Sequence, residues 1–218
     1  HDRFAGHGLH RSAAAPEHDG DLCRSDGDWL RHAGYRARCL PHRIGQQRQA
    51  GCAGCHMSFL DMDERIVELL KLVELRATPI TDLKEPDRDG VDVGILEGGI
   101  SNTYNEEVAK KMRSRCKILV ALGDCAVFGG VPAMRNFTGD QAALERAYVQ
   151  TESTDESGKI PNDPELARMV HVRPVSDVVK VDVFLPGCAP SADAIFYVLS
   201  ELAQGRIPEV SGDYNDWH

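Results

Sequence analysis

The chain has 218 residues, of which 42% are hydrophobic and 27% charged, and a formal net charge of −9. This length suits one α/β domain that needs no disulfides to stabilise its core. No apolar run approaches the roughly 20 residues of a membrane-spanning helix, and an acidic chain lacks the clustered cations that nucleic acid requires. We therefore expect neither membrane nor nucleic acid as a partner. Seven cysteines without a recognisable export signal predict thiolates in a reducing compartment, the cytoplasm.

Residues 1–50 differ in composition from the rest of the chain. They contain six of the nine histidines and eight arginines, but no lysine, valine or threonine. The stretch R-I-G-Q-Q-R-Q-A before Cys52 has no β-branched apolar run, so we predict no buried strand there. Two hypotheses remain for this atypical segment. It is either a divergent arm that wraps a partner, or the product of a frameshift upstream of Gly51 in the recorded sequence.

From Gly51 onward, helix and strand patterns alternate. Residues 58–73 place apolar side chains at helical spacing and predict one amphipathic helix. The runs V-D-V-G-I-L-E-G-G and K-I-L-V-A-L-G, which end at Gly99 and Gly123, predict buried parallel strands. Between them, Thr103 and Glu106 have capping-box spacing and predict the start of a crossover helix.

The second half of the chain continues this alternation. Residues 141–150 predict a short helix, and the polar residues 151–167 predict a loop. A strand is predicted over residues 178–185 and a helix over residues 191–203. We expect a doubly wound α/β domain over residues 51–208, followed by a polar tail at 209–218.

Four cysteines follow predicted strands or the loops that leave them, each within two residues of a glycine: Cys52 and Cys55 in G-C-A-G-C-H, Cys125 in A-L-G-D-C-A, and Cys188 in L-P-G-C-A-P. The carboxyl ends of parallel strands share one edge of a sheet, so these side chains can converge. A zinc site would normally pair two CxxC motifs. A dithiol redox pair at Cys52 and Cys55 leaves the other two without a role. An iron–sulfur cluster with four thiolate ligands uses all four.

Four motifs together resemble a known family. They are C-A-G-C-H-M-S-F-L-D-M-D-E-R, L-E-G-G-I, A-L-G-D-C-A-V-F-G-G-V-P and V-K-V-D-V-F-L-P-G-C-A-P, and they extend from about Gly51 to Pro208. The chain resembles the small subunit of nickel–iron hydrogenases, most closely that of the soluble, bidirectional NAD-reducing type. The resemblance implies a flavodoxin-like sheet in a single domain. It also implies one [4Fe-4S] cluster bound by Cys52, Cys55, Cys125 and Cys188.

The resemblance also implies the partners and the function. In this family the nickel–iron centre belongs to a separate large subunit, and electrons continue to a flavin-containing diaphorase module that serves NAD. We therefore expect an electron-transfer subunit of a cytoplasmic hydrogenase that contacts the large subunit through its cysteine loops and the start of the helix predicted from Ser58. Larger family members bind two more clusters in a carboxy-terminal region, whereas only a short tail without cysteine follows Pro208 here, so one cluster is expected.

Several other residues have weaker signals. Cys116 opens a predicted strand and is expected to be a buried, inert thiol. Glu97 ends a strand on the cluster side, where it is a candidate proton relay or an acceptor for loop N–H groups. His56 either donates to a cluster sulfur or faces solvent or a partner. Cys23 and Cys39 match no pattern.

Three other functions remain open at the level of sequence. They are a thiol–disulfide oxidoreductase that uses Cys52 and Cys55, a quinone-reductase-type iron–sulfur subunit of a respiratory complex, and a metal-free scaffold subunit. The respiratory family carries adjacent cysteines where this chain has CxxC, so it matches less well. FMN is compatible with a flavodoxin-like sheet, although no particular residue identifies a flavin site.

Overall fold

A computed structural model of the chain describes residues 42–48, 54–78, 88–155 and 157–214. Cys23, Cys39, Cys52 and nearly all of the atypical segment lie outside the described residues, as does the end of the predicted tail. Within the described residues no helix is long and apolar enough to cross a membrane.

The described residues form one five-stranded parallel sheet and a separate antiparallel pair. The strands in chain order are β1 (His42–Arg48), β2 (Val73–Ala77), β3 (Val91–Glu97), β4 (Ile100–Asn102), β5 (Cys116–Leu122), β6 (Met169–Arg173) and β7 (Val183–Leu185). The main sheet has the order β2-β1-β3-β5-β7, and β4 pairs with β6. Counted among themselves, the five parallel strands have the order 2-1-3-4-5 of flavodoxin-like sheets. The predicted fold class is confirmed.

Helices cover both faces of the main sheet. They are α1 (Gly54–Leu60), α2 (Arg65–Leu69), α3 (Thr103–Arg115), α4 (Asp124–Phe128), α5 (Arg135–Thr138), α6 (Asp140–Tyr148) and α7 (Ala192–Ala203). Short 3-10 turns lie at Val131–Met134, Val175–Asp177 and Gly212–Tyr214. The described part of residues 151–167 contains neither helix nor strand, as predicted.

Alternate residues of the central strands fill two separate cores. In β5, Val120 and Leu122 face the core beneath α1, α2 and α7, whereas Leu119 and Ala121 face the core beneath α3 and α4. Strands that are buried on both faces need apolar residues at every position, which explains the unbroken run in this segment. Five apolar residues of α7 are buried in the core beneath α1, α2 and α7: Ala194, Ile195, Val198, Leu199 and Leu202.

The prediction of one helix over residues 58–73 was wrong. Helix α1 starts earlier, at Gly54, and ends at Leu60, and a turn in which Asp63 has a φ of 51° separates it from α2. A left-handed residue cannot continue a right-handed helix. The remaining residues of the predicted helix lead into β2, where the alternating pattern V-E-L-R-A is the signal for a strand that helical periodicity obscured.

The prediction that no strand precedes Cys52 was also wrong. Strand β1 occupies an interior position and pairs in parallel with β2 on one side and β3 on the other. Its residues Gln46 and Gln47 lie in register with Ile95 and Leu96 of β3. Backbone pairing with two neighbours has therefore overridden a local sequence that lacks strand propensity. The sheet begins upstream of Gly51.

Two other element boundaries differ from the predictions. The cap of α3 is Asn102, whose side chain accepts from the N–H of Asn105 at 2.8 Å, and not Thr103. Strand β7 is shorter than predicted and begins only after Asp182. The carboxylate of Asp182 accepts from the N–H of Leu119 at 2.8 Å, in place of a strand carbonyl. Strand β6 was not predicted, although M-V-H-V-R alternates polar and apolar residues.

Candidate functional site

Three of the four predicted ligands lie at one edge of the main sheet. Cys55 is in α1, which follows β1, Cys125 is in α4, which directly follows β5, and Cys188 lies in the loop between β7 and α7. All three strands are parallel, so their carboxyl ends deliver these cysteines to the same edge. Cys52 lies outside the described residues.

The three cysteine-bearing segments meet around Gly123. The Sγ of Cys55 lies 3.9 Å from the carbonyl oxygen of Leu122, the last residue of β5. A Cβ on Gly123 would lie 2.3 Å from the same sulfur and 3.4 Å from the carbonyl oxygen of Gly187, next to Cys188. Gly123 also has a φ of +83°, which L side chains rarely adopt. Glycine is therefore required here by the backbone conformation and by the closeness of the Cys55 sulfur.

A second glycine leaves space beside Cys125. Gly130 has a φ of +50°, and a Cβ at this position would lie 2.8 Å from the Sγ of Cys125. Sequence reasoning missed this residue, although the paired glycines in V-F-G-G-V-P were a signal for an unusual backbone.

Hydrogen bonds connect the Cys125 and Cys188 segments directly. The N–H of Gly187 donates to Oδ1 of Asp124 at 2.7 Å, and the N–H of Asp124 donates to the carbonyl of Gly187 at 2.9 Å. The N–H of Gly123 also donates to the carbonyl of Leu185 at 2.7 Å. Sequence reasoning missed Asp124, since an acid beside a predicted ligand gives no distinctive pattern.

The Cys55 helix contacts the Cys188 loop from the other side. The hydroxyl of Ser58 donates to the carbonyl of Pro190. In addition, the guanidinium of Arg65 in α2 pairs with Asp193 in the first turn of α7 and lies 5.4 Å from the centre of the Phe196 ring. The Cys188 loop is therefore bonded to both of the other described cysteine segments.

The three sulfurs differ in their exposure. Cys55 and Cys125 are only 4% and 3% exposed, whereas Cys188 is exposed. Among the described residues, no three His, Cys, Asp or Glu side chains are grouped closely enough to hold a single metal ion. A four-iron cluster is larger than one ion, so its thiolate ligands are more widely spaced than those of zinc. Three cysteines around one sheet edge, with space kept by Gly123 and Gly130, fit such a cluster.

Cys116 is separate from this site. It begins β5 at the opposite end of the strand from Cys125 and is buried against Gly94 and Met112. Burial raises the pKa of the Cys116 thiol to about 11, although the nearby charge of Arg113 acts in the opposite direction. The prediction of a buried thiol is confirmed, and this high pKa keeps the thiol protonated and unreactive at neutral pH.

Glu97 and His56 lie at the same sheet edge as the cysteines. Glu97 is fully buried at the end of β3 and is flanked in register by Arg48 of β1 and Leu122 of β5. His56 follows Cys55 in α1, and its ring nitrogens are inaccessible to water, which argues against a solvent-facing imidazole.

Comparison with known proteins identifies relatives of the whole domain. Residues 52–202 match the family described as NADH ubiquinone oxidoreductase, 20 Kd subunit. The chain is 45% identical over 169 residues to the NAD-reducing hydrogenase HoxS subunit delta of Cupriavidus necator, across 76% of this chain and 80% of that protein. It is 33% identical over 171 residues to a subunit of the F420-non-reducing hydrogenase vhu of Methanocaldococcus jannaschii, across 78% of this chain but only 59% of that protein.

A solved structure agrees with these sequence matches. One chain of an NAD+-reducing [NiFe]-hydrogenase, crystallised in the H2-reduced state, superposes with a TM-score of 0.76 and 38% sequence identity. The superposition covers 80% of this chain and 98% of that chain. The similarity therefore extends over nearly the full length of the known subunit.

Proposed function

This chain belongs to the NADH ubiquinone oxidoreductase 20 kDa subunit family, as a small subunit of the NAD-reducing [NiFe] hydrogenase type, and on that premise we propose that it passes electrons through a single [4Fe-4S] cluster. Electrons would travel between the nickel–iron site of a large subunit and a flavin- and iron–sulfur-containing diaphorase module that serves NAD. The observation that carries this proposal is the convergence of Cys55, Cys125 and Cys188 at one sheet edge. Cys52 is the proposed fourth ligand.

The chain's own residues bind the cluster and tune its environment. A bound [4Fe-4S] cluster supplies one-electron chemistry, and its potential depends on burial and on hydrogen bonds to sulfur. The buried Cys55 and Cys125 exclude water from one side of the site, whereas the exposed Cys188 leaves the other side accessible to a partner. A site that is buried on one side and exposed on the other suits a cofactor that must exchange electrons with a second protein.

The number of cysteines supports one cluster in this chain. The sequence contains seven cysteines, so a second set of four thiolates is lacking once four are assigned. Helix α1, which carries Cys55, follows β1 at the β1/β3 switch point where flavodoxin-like sheets bind FMN. We assign the switch point to the cluster rather than to a flavin. We propose a cytoplasmic location, because seven cysteines in a chain of this length suit a reducing compartment.

An exposed apolar surface near the cysteines supports docking of the large subunit. Phe128, Val131, Met134 and Phe137 all follow Cys125 in the chain, and Phe137 is 91% exposed. Met57, in the Cys55 helix, is also exposed. Obligate partners bury apolar surfaces of this kind. We propose that these side chains extend the contact formed by the cysteine loops.

The cluster is tested by anaerobic purification of the complex followed by metal analysis. We expect about four iron and four sulfide per copy of this chain, together with a nickel-containing subunit that co-purifies. Replacement of any one ligand by serine should remove or convert the cluster and abolish H2-dependent NAD reduction; the four ligands are Cys52, Cys55, Cys125 and Cys188. Cys116→Ala is the matched control and should do neither. A normal four-iron electron paramagnetic resonance (EPR) signal in Cys188→Ser would contradict the assignment.

The docking surface is tested by substitutions of two valines with similar exposure, Val131 at 64% and Val67 at 59%. Val131→Asp places a charge beside the cysteine site, whereas Val67→Asp places one on α2, which leads to the amino end of β2. We expect Val131→Asp to abolish co-purification of the large subunit and Val67→Asp to leave it unchanged. Equal retention of the large subunit by both variants would exclude the proposed surface.

We also propose that Glu97 relays protons at the interface, since it is a buried carboxylate at the cluster edge. Glu97→Gln keeps the size and the acceptor oxygen but cannot transfer a proton. A relay predicts slower H2 turnover with an unchanged cluster EPR signal. If Glu97 instead only accepts loop N–H groups, the variant should turn over H2 at the wild-type rate.

A thiol–disulfide oxidoreductase is the alternative from another functional class. A colourless protein that reduces disulfides and contains no iron would support it. Cys55 is almost fully buried beneath Phe59 and Leu122 in the same core, and an attacking thiolate needs access to its substrate. This burial favours a role as a cluster ligand.

A further inference from the structure

The Cys188 loop is held to the Cys125 segment by hydrogen bonds of its backbone. The N–H of Gly187, the residue before Cys188, donates to the side chain of Asp124. Asp124 in turn precedes Cys125 and donates its own N–H to the carbonyl of Gly187. Two reciprocal hydrogen bonds thus fix the residue before one ligand against the residue before another.

We propose that Asp124 is a positioning residue that sets the location of the Cys188 thiolate relative to Cys125. The contact joins carboxylate and backbone without involving either sulfur, so Asp124 acts through the loop and not as a ligand. Backbone N–H groups that donate to a carboxylate form charge-assisted hydrogen bonds, which are short and strong. Exposed loops without such a bond sample several conformations. Cys188 is exposed and lies in a loop, so this anchor matters more for it than for the buried cysteines.

The reach of the side chain is specific for aspartate. The separation of 2.7 Å between Oδ1 and the Gly187 nitrogen leaves no room for a longer side chain at the same backbone position. Asp124→Glu keeps the charge but moves the oxygens by one C–C bond. Asp124→Asn keeps the acceptor oxygen in place but removes the charge. The two variants therefore separate the position of the acceptor from its charge.

The role rests on the proposed [4Fe-4S] cluster, and it is tested in the complex purified anaerobically with its partner subunits. The measurements are the EPR spectrum of the reduced cluster and the rate at which an iron chelator removes iron. We expect Asp124→Glu to alter the EPR spectrum and to release iron about 10-fold to 100-fold faster, the usual consequence of a lost outer-shell partner. Asp124→Asn should keep the wild-type spectrum and release iron only about fivefold faster, because the neutral amide oxygen accepts a weaker hydrogen bond from the same position.

Asp163→Asn and Asp163→Glu are the matched controls. The carboxylate of Asp163 also accepts a backbone N–H, that of Glu165 at 2.8 Å, but it lies in the polar loop over residues 151–167 and not in a cysteine segment. Both control variants should behave as wild type. A wild-type spectrum and release rate in Asp124→Glu would overturn the positioning role, as would equal damage in Asp124→Asn and Asp124→Glu. A wild-type complex without iron would instead refute the proposed function itself.

Discussion

Gly123 offers a sharp test of the geometry at the cysteine site, because the chain contains a second glycine with the same backbone conformation. Gly123 has φ and ψ of 83° and 162°, and Gly139 has 83° and 159°. These angles are accessible almost only to glycine, and a side chain there costs of the order of 1–3 kcal/mol. A Cβ on Gly139 would meet nothing within 4 Å, whereas one on Gly123 would lie 2.3 Å from the Cys55 sulfur.

Gly139→Ala should therefore show the backbone cost alone. We expect a loss of about 2 kcal/mol in the free energy of unfolding, which corresponds to a fall in Tm of about 4–8 °C for a domain of this size. Its iron content and EPR spectrum should match those of the wild type. Gly123→Ala has the same backbone cost and must also displace the Cys55 sulfur, so we expect it to lose the cluster.

The assay is metal analysis and EPR spectroscopy of both variants, purified anaerobically in the same complex, together with thermal unfolding. The difference between the two variants isolates the contact with the Cys55 sulfur. A full complement of iron in Gly123→Ala would refute the reasoning, because the sulfur would then not be a ligand at this position. Equal cluster loss in both variants would show that backbone strain alone is responsible.

Three other predictions concern residues away from the cysteine site. The pKa of the Cys116 thiol is raised from 9.0 to about 11. Below pH 9, iodoacetamide should therefore alkylate Cys116 about 100-fold more slowly than an ordinary thiol, as followed by mass spectrometry. A rapid reaction in the folded protein would contradict the burial of this thiol.

Burial alone would raise the pKa of Asp182, but hydrogen bonds from Leu119 and Arg113 outweigh it and hold that pKa below its usual range. The stabilisation by Asp182 is therefore present above about pH 4 and is lost as the pH falls further. In urea titrations Asp182→Asn should cost about 1 kcal/mol at pH 7 and progressively less below pH 4, and a pH-independent difference would oppose this. For residues 1–50, recovery of a peptide spanning 39–43 would refute the frameshift hypothesis, whereas peptides with a valine- or isoleucine-rich run before Gly51 would establish it.

The parts of the fold that sequence predicted well are those buried on both sides. Strands β3 and β5 have apolar residues at nearly every position, and α7 has a continuous apolar face, so burial alone determines their structure. The location of Cys55, Cys125 and Cys188 at one sheet edge could be predicted because the ends of parallel strands share that edge. Their role as cluster ligands stays a prediction.

The parts that sequence missed depend on contacts between distant segments. Strand β1 forms because two neighbours supply its hydrogen bonds, although its own residues give no strand signal. The break between α1 and α2 depends on one residue with a positive φ, Asp63. The Asp124 anchor depends on Gly187, far along the chain. No local pattern records such partners.

The short strand β7 has a consequence for how the holoprotein is made. In the part of the chain that the structure describes, its three residues pair with β5 alone, at the edge of the sheet, and they bring Cys188 into place together with α7. Contacts between remote segments form late in folding because a long loop must close first. The proposed ligand set is therefore incomplete until the ribosome has released this strand and helix, and we expect iron insertion to follow synthesis of the domain rather than to accompany it.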